Sequence, residues 1–418
     1  MTKNSEKRVP ALRFKGFTND WEQRKLGCLM NITSVKRIHQ SDWRKKGIPF
    51  YRARDITALS KNLNIEEPIF ISRDLYEEYS KISGKVQIND LLVTGVGTIG
   101  VPLLVQTVPL YFKDGNIIWF QNSNKLIGLF FLYLFKTNTV QKYIHTTTGV
   151  GTVPTYTIQS GKNTPVYITS KKEQKDIGTI FQLIDNLISL QQRKLDILIK
   201  LNRNIIINLF KEIRVNHHAI ELKHTASNWK SARLKELGIC QSGFGFPIKE
   251  QNGSKGIPFF KVSDFNTFGN EIYLQYANNY VTNHQIRKNK WKIFDQVPAI
   301  VFAKVGATIF LNRKRMINEP FLIDNNLMAF ELNRQKLDYK FAKILFDNMY
   351  LPKFAQVGAL PSYNASDINA IKVKIPDMDS QKKIANIIMK NNNEIILQKQ
   401  ILQKGKELKQ FLLQNIFI

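Results

Sequence analysis

The sequence predicts an α+β protein assembled by tandem duplication: two mixed α/β domains, each followed by one long helix. Three observations carry that prediction. An eleven-residue phrase, GIPFYRARDIT (Gly47–Thr57), returns as GIPFFKVSDFN (Gly256–Asn266). Other matches flank it in the same order along the chain. Two stretches, from Lys171 to Arg214 and from Asp379 to Ile418, lose nearly all Gly and Pro and gain apolar residues at helical spacing.

The repeat runs over almost the whole chain. Asn19-Asp20-Trp21 is echoed by Ser227-Asn228-Trp229 at an offset of 208. VGTIG (Val96–Gly100) meets VGATI (Val305–Ile309) at 209, and DGNIIWF (Asp114–Phe120) meets DNNLMAF (Asp324–Phe330) at 210. VPTY (Val153–Tyr156) matches LPSY (Leu360–Tyr363), and QKDIGTI (Gln174–Ile180) matches QKKIANI (Gln381–Ile387), both at 207. Such drift is what loops of differing length produce.

The globular parts mix strand and helix signals. KVQINDLLVTGVG and NIIWFQ, rich in β-branched and aromatic residues and bounded by turn residues, predict short strands. LIGLFFLYLFKTNTVQKYI and KLDYKFAKILFDNMYLPKF predict helices. GVGTIG lacks the spacing of a dinucleotide-binding loop and predicts a tight turn or bulge.

The long helices follow a 4-3 apolar rhythm: Ile177, Phe181, Ile184, Ile188, Leu195, Leu198, Ile205 and Leu209 in the first, with Gln191 and Asn202 interrupting the seam. Ile384, Ile388, Ile395, Leu402, Leu412 and Ile416 hold equivalent places in the second, which is less regular because of KNNNE and Gly405. That rhythm marks helices that wrap each other, and polar seam residues fix register. One helix packed on a globular core is the blander reading; two of matching length make mutual pairing simpler.

Charge locates the binding function. With 61 Lys and Arg against 33 Asp and Glu, the chain carries a net +28. Residues 1–170 and 222–375 hold +11 each, whereas 171–221 and 376–418 hold +3 each. An excess of this size favours polyanions. The longest apolar run, Leu126–Phe135, is too short for a bilayer span, which needs about 20 residues. The N-terminus has no signal-peptide core, and two cysteines, Cys28 and Cys240, are expected as small core residues of a cytoplasmic protein.

Catalytic signatures are missing from the sequence. No Gly-Lys pair precedes Ser or Thr, no His precedes Glu, and there is no Pro-Pro for the tetrapeptide with which amino-methyltransferases hold a flipped base. Two separated cysteines exclude a thiolate zinc site. His217-His218 reads as a polar hinge.

Basic clusters interleaved with aromatics remain. Lys36, Arg37, Arg44 and Lys45 surround Trp43; Arg52 and Arg54 alternate with Tyr51 and Ala53, so on a strand they would share a face. The second copy places Lys261 and Ser263 there and adds Arg287, Lys288, Lys290 and Lys292, then Arg313, Lys314 and Arg315. Thr98, Lys304, Tyr156 and Tyr363, in or beside the repeated turn motifs, complete the candidate DNA contacts. Phosphates and guanine edges are the natural targets of such side chains. Framework letters repeat while the letters between them change, as two scaffolds reading two short sequences would require. Forty helical residues span about 60 Å, more than one ~34 Å turn of duplex.

These features together resemble the specificity subunit of type I restriction-modification enzymes. The resemblance rests on RFKGFTNDWEQRKLG, the paired GIPF motifs, DLLVTGVGTIG, GTVPTYT with GALPSYN, and the QK…I start of each long helix. It implies two target-recognition domains related by pseudo-two-fold symmetry, at residues 1–170 and 215–375. Two antiparallel coiled-coil helices, at 171–214 and 376–418, would separate them. It further implies that each domain binds half of a split double-stranded DNA sequence, and that the helices dock two adenine-N6 methyltransferase subunits. Restriction subunits with translocase activity would then join. The chain itself would be non-catalytic and bind no cofactor, leaving S-adenosylmethionine, ATP and magnesium to its partners. A stand-alone DNA-binding regulator is the alternative reading of the residues.

Overall fold

The computed structural model describes residues 9–148, 154–211, 229–356 and 360–418. His217-His218, the repeat letters Ser227-Asn228, the 214/215 domain boundary and parts of the two turn motifs (residues 151–153, 358 and 359) lie outside these. The chain forms two compact units: Met1–Lys194 with Gln398–Ile418, and Leu195–Leu397. Each long helix, Lys171–Lys211 and Met378–Asn415, contributes one segment to each unit.

The described residues of the first unit form three sheets. Glu22–Lys25 pairs antiparallel with Pro165–Ile168. A four-stranded antiparallel sheet runs Asn31–Thr33, Ile117–Gln121, Leu91–Thr94, Pro102–Leu104. A three-stranded sheet places Ile48–Tyr51 between Ile69–Ile71, antiparallel, and Tyr111–Phe112, parallel. The second unit repeats every pairing. Lys230–Arg233 joins Lys372–Ile375; Gly238–Ser242, Leu327–Leu332, Ala299–Ala303 and Lys314–Ile317 form the four-stranded sheet. Ile257–Phe260 lies between Tyr280–Val281 and Leu322–Ile323, again with one antiparallel and one parallel neighbour.

The strands form where β-branched and aromatic residues concentrate, and the central ones, such as Leu91–Thr94 and Leu327–Leu332, are buried along their whole length. LIGLFFLYLFKTNTVQKYI becomes two helices, Gly128–Phe135 and Asn138–Thr147. Thr137 breaks it, its hydroxyl accepting the Val140 N–H as an N-cap. GVGTIG is a tight connection: Thr94 O accepts the Gly100 N–H at 2.8 Å and Thr94 Oγ1 the Val101 N–H at 3.0 Å.

The repeated phrase shows why its letters recur. Gly47 and Gly256 have φ of +136° and +113°. A Cβ on either would sit 2.2 Å from a backbone oxygen, of Ile71 or Val281, so only glycine lets the neighbouring strand close in. Asp55 and Asp264 cap the turn after the strand, accepting the N–H of Arg52 at 2.8 Å and of Lys261 at 2.6 Å.

Within the first unit the helical segments run antiparallel. Phe181 meets Phe417 at 5.8 Å, Asp185 meets Lys409, Gly405 lies against Ile188, and Gln398 bonds Gln191. Phe417 also packs edge-on to Trp21 and tilted against Phe130, which anchors the pair in the core. Within the second unit Asn202 donates to Asn392, and Ile205, Leu209 and Ile384 join the core around Ile388. Gly405 stands where the repeat places Leu198 and gives up a side chain facing Ile188.

Cys240 is buried, and burial pushes its thiol up. Cys28 departs from expectation: it is exposed, because the single turn Leu26–Leu29 directs Leu26 inward instead. Among the described residues no helix is long and apolar enough to cross a membrane.

Candidate nucleic-acid interface

In the first unit the basic residues gather where the parallel strands Ile48–Tyr51 and Tyr111–Phe112 end. Arg52 and Arg54 follow the first strand and Lys113 the second, with the Lys113 N–H donated to Tyr51 O at 2.8 Å. The strand stops at Tyr51, so Arg52 and Arg54 do not share a strand face. Arg52 is an N-cap and Arg54 lies in the first turn of helix Ala53–Ser60. Their environments differ accordingly. Arg52 is held by Asp55 through Nε at 2.8 Å and Nη2 at 3.0 Å, and its Nη2 also donates to Glu67 O at 2.7 Å. Arg54 is exposed and pairs with the exposed Glu67 at 2.8 Å.

Arg37 reaches the same region, bonding Asp114 at 2.8 Å while two-thirds exposed. Asp114 also lies 3.9 Å from Lys113 Nζ. Lys36 lies 3.9 Å from the Tyr79 ring centroid, and Arg44 donates to Ser41 O and Trp43 O. Lys45 and Thr98 are exposed. Surface ion pairs such as Arg54–Glu67 contribute little to stability, so these arginines can exchange a carboxylate for a phosphate at small cost.

The second unit presents different chemistry at the corresponding place. Lys261 Nζ donates to Gln251 at 3.0 Å, and Ser263 is exposed. Half-buried Lys304 exchanges backbone bonds with Asn326 and Tyr363. Arg313 bonds Asn266 at 2.6 Å; Arg315 donates to Asn270 O at 2.7 Å and lies 5.6 Å from the Phe265 ring. Lys314 does not join them. Strand alternation turns it inward, where its Nζ donates to Met349 O at 2.6 Å and burial pushes its pKa down to about 8. Tyr156 and Tyr363 are likewise core residues, with the Tyr156 hydroxyl 2.6 Å from Thr164 Oγ1. Arg287, Lys290 and Lys292 are exposed, and Lys288 pairs with Glu250 at 3.1 Å.

Of the seam residues, Ile177, Phe181, Leu195, Ile388 and Leu402 are buried, and Ile184, Ile188, Leu198, Ile384 and Ile395 half-buried. A second apolar stripe escaped sequence reading. Leu183, Leu187 and Leu190 in the first unit, and Ile197, Leu201 and Ile387 in the second, are about half exposed. Its signal was a 4-3 spacing parallel to the seam. Lys113 and Asp114 were also missed, since only strand pairing brings them beside Arg37 and Arg52.

Two segments of the chain, residues 18–200 and 226–406, match the family model described as the type I restriction modification DNA specificity domain. The chain belongs to that family. It contains two specificity domains, and the matched segments take in both globular parts and most of each long helix. The type I restriction enzyme MjaVIII specificity subunit of Methanocaldococcus jannaschii is 21% identical over 81% of this chain and 82% of its own length. The MjaIX specificity subunit of the same organism is 23% identical over 75% and 73%. Among solved structures, the S subunit of a type I restriction-modification system from M. genitalium aligns at a TM-score of 0.57 and 14% identity, covering 98% of this chain and 99% of that one. The likeness extends over the whole duplicated fold. The chain is thus a specificity subunit of the type I class with two target-recognition domains.

Proposed function

We propose that each specificity domain reads one half of a split double-stranded DNA sequence, and that the chain performs no chemistry itself. The observation that supports this most is the contrast at one repeated place. Identical backbone devices, Gly47/Gly256 and Asp55/Asp264, carry different exposed side chains, Arg54 in one copy and Ser263 in the other. Arg54, Arg37 and Lys113 in the first domain, and Ser263, Arg313 and the exposed Lys290 and Lys292 in the second, supply phosphate contacts and base-edge readers.

The exposed apolar residues of the long helices in each unit dock the two methyltransferase subunits, because exposed apolar surface of this kind marks a partner site. Those partners bring S-adenosylmethionine. Restriction subunits, with ATP and magnesium, complete the assembly in the cytoplasm.

The test is to co-express the chain with its methyltransferase subunits and map methylated adenines across a genome. A bipartite site with a fixed gap is expected; a continuous site overturns the two-reader proposal. Arg54→Ala is expected to relax one half-site only, and an equal effect on both would refute the assignment of the first domain to one half-site.

A further inference from the structure

The repeat offset of 207 carries residues 171–208 of the first long helix onto 378–415, the second. Gln191 maps onto Gln398, Asp185 onto Asn392, and Asn202 onto Lys409. These residues make polar contacts of the seam. In the first unit Gln398 bonds Gln191, and Lys409 Nζ lies 2.5 Å from Asp185 Oδ1. In the second unit Asn202 Nδ2 donates to Asn392 Oδ1 at 2.8 Å. The last two contacts are the same contact by descent. Replacing Asp185 and Lys409 by their repeat counterparts gives Asn392 and Asn202. One pair of repeat positions therefore meets twice, once as acid with base and once as amide with amide.

We propose that these positions form a pairing code that makes each half of the chain select the other half, and reject the same half of a second copy. Two first halves brought together would set Asp185 opposite Asn202 at both ends. Two second halves would set Asn392 opposite Lys409 at both ends. The first arrangement takes Lys409 away from each Asp185, and the second leaves each Lys409 opposite an amide; only the mixed arrangement brings Asp185 and Lys409 together. A half-buried charge stripped of its partner is costly, whereas a well-placed polar seam residue dictates which helices associate.

The seam positions that are identical between the halves cannot supply this choice. Gln191 meets its own counterpart, so like and mixed pairing both set glutamine against glutamine. Ile177 with Ile384, Ile188 with Ile395 and Leu195 with Leu402 are identical between the halves. Groups around the ion pair reinforce it. The Tyr133 hydroxyl donates to Asp185 Oδ2 at 2.8 Å, while burial, and next Lys409, disfavour the charged form of nearby Lys136. Without Lys409 the carboxylate keeps only the Tyr133 hydroxyl and a lysine whose charged form burial disfavours.

The test uses the full chain with a protease site inserted between residues 212 and 228, folded intact and then cut. The nicked protein is unfolded, refolded and weighed by native mass spectrometry, which counts mixed, first–first and second–second pairs. Mixed pairs are expected to exceed like pairs by about tenfold or more, the range that coupled contacts reach. Asp185→Asn with Lys409→Asn makes all four positions amides and is expected to bring the pairs to the proportions of random re-pairing. The reversed pair, Asp185→Lys with Lys409→Asp, is expected to restore the mixed excess, which separates loss of selection from loss of folding. Random proportions from the unaltered seam overturn the proposal, as does an undiminished mixed excess in the double-amide variant.

Discussion

The two specificity domains share a backbone and part ways at the surface. Both place a three-stranded sheet behind the repeated phrase, both spend a positive-φ glycine on bringing the neighbouring strand close, and both cap the following turn with a buried aspartate. Beyond that point they differ. The first continues into helix Ala53–Ser60 with Arg54 exposed; the second makes the short turn Val262–Asn266 and a long loop, pinned by Asn270 and Asn278. Duplication has thus kept the residues that hold the backbone and released those that face outward. Recurrence of a letter marks it as framework, and only the changed, exposed letters are free to encode a target.

The framework side of this comparison is the easier to break. Gly47→Val, or Gly256→Val in the second domain, forces a side chain against a carbonyl 2.2 Å from the ideal Cβ. A loss of at least about 3 kcal/mol in denaturant unfolding is expected. Gly97→Ala, with nothing within 4 Å of its Cβ, should cost only the strain of its +78° φ, about 1–2 kcal/mol. Equal effects would mean that close approach is not why the glycine recurs.

Next come the two basic residues of the first phrase. Arg52→Ala strips Asp55 of its guanidinium and leaves a buried carboxylate under-bonded, which should cost about 1–3 kcal/mol. Arg54→Ala removes the exposed pair with Glu67 and a 3.8 Å approach to Asp55, and should change stability by no more than about 1 kcal/mol while altering DNA binding. Thermal melts beside binding isotherms separate the two; reversed ranks would reassign the reader.

A subtler contrast lies along the strand Lys314–Ile317. Folded Lys314 releases its proton near pH 8, whereas the unfolded side chain holds it to about 10.5. Between those values the unfolded chain binds more protons, so this residue makes stability rise with pH, by at most ~1.4 kcal/mol per unit. Below pH 8 both states are protonated and the contribution is flat. Lys314→Met should remove that rise from a urea-unfolding series taken across pH 8 to 10.5, while Arg313→Met should leave it in place.

Much of the fold was legible because duplication printed it twice. The order of motifs gave two equivalent domains, and the 4-3 rhythm of Ile177 to Leu209 gave long paired helices. The site was less legible. Lys314 read as one of three basic neighbours, and Tyr156 and Tyr363 as candidate DNA contacts in the turn motifs, yet all three are core residues. A run of residues does not declare which of its members alternation will turn inward. Cys28 failed in the opposite sense, outward on a one-turn helix too short to carry a periodic signal.

By itself, the sequence determined the repeat, the sign and location of charge, and the framework letters, because each of these is local or is counted along the chain. Tertiary structure alone decided which cations are free. Arg52 is taken up by Asp55 and Glu67, Lys314 by Met349, and Arg37 is brought beside Lys113 through Asp114. The physical reason is the same in each case: a side chain's availability depends on partners from distant strands, and strand pairing, not chain order, delivers them.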